Sequence, residues 1–243
     1  MSSLAFSSPV GYRNLKDTSR RVSVWPLVVA IVAIAVCAQA TVAQDAHAVR
    51  IAAVKYSGGG DWYQAQTPLP NFLAFVREHT LLDVAPQPDV VELTSDKLFS
   101  YPFVFLSGHG NIVLTEDEAR RLRRYLENGG FLYIDDDYGL DEYIRREMKK
   151  VFPERDFVEL PFDHEIYHTH FEFSNGLPKI HEHDNQAPQG FGIFHEGRLV
   201  VFYTYETNIS DGWESPEVHN TPQDRRDAAF RMGTNILTYA MMR

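Results

Sequence analysis

Thr115-Glu116-Asp117-Glu118, the apolar positions Leu122 and Tyr125-Leu126, then Gly129-Gly130, Phe131-Leu132-Tyr133-Ile134 and Asp135-Asp136-Asp137-Tyr138-Gly139 form the stretch that decides the fold class. Threonine followed three residues later by glutamate is a capping box, in which hydroxyl and carboxylate satisfy free amides at a helix start. Leu122, Tyr125 and Leu126 fall on one face of that helix, and Arg120, Arg121, Arg123 and Arg124 form a solvated face. The glycine pair ends the helix. A four-residue apolar run follows and discharges into three aspartates, so one helix–strand unit is written out with its polar turn.

The same grammar extends in both directions. Residues 49–56 form a β-type run that stops at Ser57-Gly58-Gly59-Gly60, and Pro70 suits the opening turn of a helix that places Phe72, Phe75 and Val76 on one face. Val90-Val91-Glu92-Leu93 is a second strand. Tyr101-Pro102-Phe103-Val104-Phe105-Leu106 is apolar throughout, as a strand covered on both faces requires, and ends in Ser107-Gly108-His109-Gly110-Asn111. A helix over residues 140–151 is closed by Pro153. Residues 160–191 lack periodicity and read as a long functional loop. Residues 192–203 form a hairpin about His195-Glu196-Gly197-Arg198, and a last helix covers residues 224–242. Strand and helix alternate, which predicts a three-layer α/β domain with a largely parallel sheet. Ligands of such sheets bind beyond the carboxyl ends of the strands, so residues 57–61, 107–111 and 135–139 should converge on one rim.

Chemistry-bearing residues cluster along this frame. Five of the ten histidines fall between Asp163 and Asp184. His164, His168, His181 and His183 are therefore candidate ligands for a divalent metal, Zn²⁺, Mn²⁺ or Fe²⁺, with carboxylates completing the set. His109, bracketed by glycines, is a candidate acid/base group together with Asp137 and Glu182. Asp61, Trp62, Tyr63 and Asp136 are candidate ligand-binding residues. Asp136 or Asp137 should face the rim while a neighbour holds the turn, and the aspartates can equally cap the helix that starts at Leu140. Asp211-Gly212-Trp213-Glu214 and His219-Asn220 sit in a late loop that could close the rim, although a turn with an anchoring tryptophan is the preferred reading.

Residues 24–43 carry no charged side chain, have about the length of a membrane span and follow Arg13, Lys16, Arg20 and Arg21. Residues 1–43 are accordingly expected to be a signal peptide or an N-terminal anchor, with the remaining domain, residues 48–243, outside the cytoplasm. Ala38-Gln39-Ala40 supplies a small-residue cleavage pattern. The one cysteine, Cys37, lies in that leader, which excludes a disulfide framework. Beyond residue 43 there are 19 basic and 32 acidic side chains, a formal charge of −13 that disfavours nucleic acid and favours cations.

Gly58-Gly59-Gly60-Asp61-Trp62-Tyr63, Gly108-His109-Gly110, Asp135-Asp136-Asp137-Tyr138-Gly139, Leu177-Pro178-Lys179-Ile180-His181-Glu182-His183-Asp184 and Arg231-Met232-Gly233, in this order, resemble the domain of unknown function 4159 family over nearly the whole chain after residue 48. The resemblance implies a fold similar to class I glutamine amidotransferases, flavodoxin-like in outline, in proteins that often bear signal or membrane segments. It implies no established activity. Those amidotransferases carry a cysteine two residues before a glycine at the nucleophile turn, and counting back from Gly139 puts Asp137 there. Glu165 stands where the family usually has a proline after His164. Without a cysteine in the domain, thiol-dependent glutamine hydrolysis is excluded.

Two functions from different classes fit. A non-catalytic module of the cell envelope, binding a small ligand or a protein partner with a His/Asp metal-type site, ranks slightly ahead, because no complete nucleophile set is present. A metal-assisted hydrolase acting on an envelope substrate is the alternative, and a partner domain with a vestigial rim is the third.

Overall fold

Apolar runs such as residues 103–106 and 131–134 require cover on both sides, and a seven-stranded sheet between two helical layers supplies it. The computed structural model describes residues 48–242. The expected leader lies outside them; among the described residues no helix is long and apolar enough to cross a membrane.

The sheet runs, in spatial order, β3 (Asp89–Glu92), β1 (Ile51–Lys55), β4 (Phe103–His109), β6 (Phe131–Tyr138), β9 (Arg198–Tyr205), β8 (Gln189–His195) and β7 (Val158–Glu159). The first five are mutually parallel, and β8 and β7 add an antiparallel edge. Counted along the chain, the parallel strands have the doubly wound order 2-1-3-4-5, whose switch point lies between β1 and β4. The expectation of a mixed α/β domain with a largely parallel sheet is met.

Side chains of a strand alternate between faces, so each buried strand feeds two cores. Ile51, Phe103, Phe105, Tyr133 and Phe202 pack on one face against α1 (Pro68–His79) and α5 (Gln223–Met241), the latter following the one-turn helix α4 (Pro216–His219). Val54, Val104, Leu106, Leu132 and Ile134 pack on the other against α2 (Glu116–Glu127) and α3 (Asp141–Val151). The capping box of α2 is present, with Thr115 Oγ1 accepting from Glu118 N at 3.2 Å and Glu118 Oε2 accepting from Thr115 N at 2.8 Å.

Trp213 closes the first core. Its indole stacks on Phe72 with ring centroids 4.3 Å apart and donates through Nε1 to Ala229 O at 3.0 Å. A buried tryptophan of this kind is worth about 3–5 kcal/mol relative to alanine. It also fixes the 3-10 turn Ser210–Trp213, which carries Asp211 to the carboxyl ends of the strands.

Two features depart from the expectations. A ribbon of β2 (Ser57–Gly58) paired with β5 (Ile112–Val113) roofs the switch point. The long irregular segment is also not one loop over the rim. Its first part is tied to α5, with Asn235 Oδ1 accepting from His170 N and Phe171 N. Its second part reaches the rim, where Ile180 N and His181 N both donate to Thr207 O just beyond β9.

Candidate functional site

The aspartate triplet ends β6, and the pleat divides its work. Asp135 is fully buried, and its carboxylate accepts from Thr204 Oγ1 (2.5 Å), Ser210 N (2.6 Å) and Ile209 N (3.2 Å), so it holds the chain beyond β9 against β6. Asp136 points to the opposite face, where it caps α3 by accepting from Leu140 N at 2.9 Å and from the Tyr203 hydroxyl at 3.2 Å. Burial pushes both carboxyls up to about 6. Asp136, expected among the ligand-binding residues, is 1 % exposed and its carboxylate caps α3.

Asp137 is the member that faces the rim. Its Oδ1 accepts from Asn208 Nδ2 at 2.6 Å. Its Oδ2 is buried and receives no hydrogen bond, although His109 Nδ1 is 3.1 Å away. The carboxyl is raised well above the ordinary aspartate range, first by burial and then by the charge of Asp211.

His109 stands at the end of β4, where the register shifts after Gly108. Its backbone N–H donates to Asp61 Oδ1 at 2.6 Å, and its Nδ1 lies 3.0 Å from Asp61 Oδ2 with hydrogen-bond geometry. Gly108 makes this approach feasible. It has φ of +145°, and a Cβ there would lie 2.2 Å from the Tyr56 hydroxyl and 2.8 Å from Asp61 Oδ1. Trp62 is partly buried against the second core with Lys55 Nζ 5.7 Å from its ring centroid, so it is packing first, whereas Tyr63 is exposed at the rim.

The histidine cluster read from the sequence divides between the two ends of the sheet. His164 packs against Phe194 and Tyr239, beside the β8–β9 turn and the last residues of α5, at the amino-terminal end of the parallel strands. A cavity of about 510 Å³ opens there, bounded by Asp163, His164, Glu196, Arg198 and Tyr239 among others. His168 is held between Glu172 and Phe162 O, each at 2.7 Å, and His170 Nε2 lies 3.1 Å from His79 O at the foot of α1. These residues do not share a site with His181 and His183.

At the rim, His181 Nδ1 lies 2.6 Å from Asp211 Oδ2, and His219 Nε2 lies 3.3 Å from Asp211 Oδ1. One ligand atom from each of these residues falls within 4.8 Å of the others, a donor set of two imidazoles and a carboxylate that can hold a metal. Asp211 raises the His181 pKa through a hydrogen bond and its charge, against an opposing effect of burial. His183 turns aside and packs edge-on against Tyr138 at 5.1 Å, with its pKa lowered by burial. Glu182 is exposed, with its carboxylate 3.9 Å from Lys179 Nζ.

Asn208 joins the two halves of the rim. From a left-handed backbone position, φ 55°, it donates through Nδ2 to Asp137 Oδ1 at 2.6 Å and to Asp211 Oδ2 at 2.8 Å. No local pattern marks Asn208, and Asp211 and His219 read in the sequence as parts of a turn. A usable positional signal is present, since residues 206–211 follow the end of β9 as Gly110 follows β4 and Gly139 follows β6.

Residues 50–241 match the family model described as Domain of unknown function (DUF4159), and the chain belongs to that family. No curated protein matches it.

Proposed function

We propose that this member of the family is a metal-assisted hydrolase whose rim holds a divalent cation, Zn²⁺, Mn²⁺ or Fe²⁺, at His181, Asp211 and His219. The observation that carries the reading is the donor set itself: three protein ligands converge within 4.8 Å at the carboxyl ends of the strands. Structural metal sites close with four protein ligands, whereas three leave a position for water or substrate. A water held there would be acidified to near neutrality and oriented for attack. The doubly wound strand order supports the amidotransferase-like outline, and Asp137 in place of a cysteine removes the thiol chemistry of that outline.

Sequence alone ranks binding ahead of hydrolysis, and the open donor set reverses that order. One observation favours the second reading, a non-catalytic module for a small envelope ligand or protein partner: both imidazoles already contact Asp211, so the cluster is internally satisfied. The basic residues ahead of the apolar run at residues 24–43 support delivery of the domain outside the cytoplasm, by a cleaved signal or a retained anchor.

The test is metal content of the purified protein beside a His181→Ala/His219→Ala variant. Stoichiometric metal in the wild type and its loss in the variant are expected. Failure to take up Zn²⁺, Mn²⁺ or Fe²⁺ when each is offered would overturn the metal reading.

A further inference from the structure

The second titratable group at the rim, Asp61–His109–Asp137, contributes no ligand to the proposed metal site, and its geometry is specific. Nδ1 of His109 faces two carboxylate oxygens, Asp61 Oδ2 at 3.0 Å and Asp137 Oδ2 at 3.1 Å. Asp61 is fixed separately by the His109 backbone N–H at 2.6 Å, and Asp137 by Asn208 at 2.6 Å. Asp137 Oδ2 is a buried acceptor that receives no hydrogen bond, in a residue only 3 % exposed. With both carboxylates ionised, two acceptors converge on one ring nitrogen and place the proton there. In the neutral ring the other nitrogen, Nε2, then keeps its lone pair, on a side chain 47 % exposed at the rim and with no hydrogen bond to Nε2 among the described residues. Asn208 ties this unit to Asp211 through hydrogen bonds of 2.6 and 2.8 Å.

We propose that His109 is the general base of the rim, held in its Nδ1–H form by the positioning residues Asp61 and Asp137, and that Nε2 takes the proton of the attacking water. The inference rests on the hydrolase reading. As the water oxygen bonds to the electrophilic carbon or phosphorus, its O–H bond breaks and the proton passes to Nε2. The same proton then goes to the leaving oxygen or nitrogen as that bond breaks, which returns the imidazole to its starting state. A base oriented in this way contributes about 10²–10⁴-fold to a rate.

Two measurements test it. Two-bond ¹⁵N–¹H correlation spectra of the protein at pH 8 report the His109 tautomer without any substrate. Nδ1–H is expected in the wild type. In Asp61→Asn the amide nitrogen would face Nδ1 as a donor and drive the ring to Nε2–H. An Nε2–H wild type, as would follow from a protonated Asp137 donating to Nδ1, overturns the proposal. The second measurement is hydrolysis of 4-nitrophenyl acetate and bis(4-nitrophenyl) phosphate by Zn²⁺-loaded protein. His109→Gln should lose at least tenfold in kcat with metal content and KM unchanged. Equal kcat in wild type and variant overturns the base while leaving the metal site standing. If the metal-loaded wild type hydrolyses neither probe faster than free Zn²⁺, the hydrolase reading fails, and the role of His109 as its base fails with it even where the Nδ1–H tautomer is found.

Discussion

Gly108→Ala should damage the rim out of proportion to the single methyl group it adds. At φ +145° an alanine is strained, at a cost of about 1–3 kcal/mol. The new Cβ would also sit 2.2 Å from the Tyr56 hydroxyl, which is buried and donates to Ser107 O at 3.2 Å, and 2.8 Å from Asp61 Oδ1. Overpacking of this kind costs a further increment of about 1–3 kcal/mol, so a total of about 2–6 kcal/mol is expected. Gly139→Ala is the control. Its φ of +72° carries strain of about 1–2 kcal/mol, but nothing lies within 4 Å of the added atom. Tyr56→Phe alone should cost about 1 kcal/mol through its lost hydrogen bond. Combined with Gly108→Ala it should recover about 1–2 kcal/mol, because the clashing oxygen is gone while the Asp61 contact remains. Urea denaturation of the four variants reads the cycle. Additive single effects, or a Gly108→Ala cost no larger than that of Gly139→Ala, would refute the close-approach argument.

Asp136→Asn should stabilise the protein at pH 8, because the amide oxygen can keep the cap on Leu140 N while the buried charge is removed. Asp136 is raised to about 6 in the folded state against about 3.9 unfolded, so its contribution to stability is full below pH ~4 and lost as pH rises through about 6. The advantage of Asn should therefore reach at most about 3 kcal/mol at pH 8 and vanish by pH ~4, and a pH-independent difference in denaturation midpoint would contradict this. Thr115→Ala removes the hydroxyl that accepts from Glu118 N and should lower stability by about 0.5–2 kcal/mol, read as a shift in thermal midpoint.

Local physics made much of the fold legible. The α2 cap, the apolar runs of β4 and β6 and the alternation of elements follow from residues that act on near neighbours, and the segments they place at the strand ends bring Asp61, His109 and Asp137 together. The triplet was readable in outline too, since a cap on the helix after β6 was expected and Asp136 provides it. The partition of histidines was not. Which end of the sheet His164 or His181 occupies depends on Asn235 and Thr207, partners 65 residues from His170 and 26 from His181, which no local pattern reports. Asn208 escaped for the same reason, because its contact with Asp137 spans 71 positions. The β2–β5 ribbon has two residues per strand, too few for any periodicity.

Asn208 sits at the meeting point of segments that the chain supplies late and far apart. Asp61, His109, Asp137, His181, Asp211 and His219 come together only after β1, β4, β6 and β9 have docked, and such non-local closures are slow steps in folding. A cation held by His181, Asp211 and His219 would recognise the finished molecule and not its precursors. Its effect would fall on the rate of unfolding and leave the rate of folding nearly untouched, so the lifetime of the native state, more than the speed of reaching it, would follow the supply of metal.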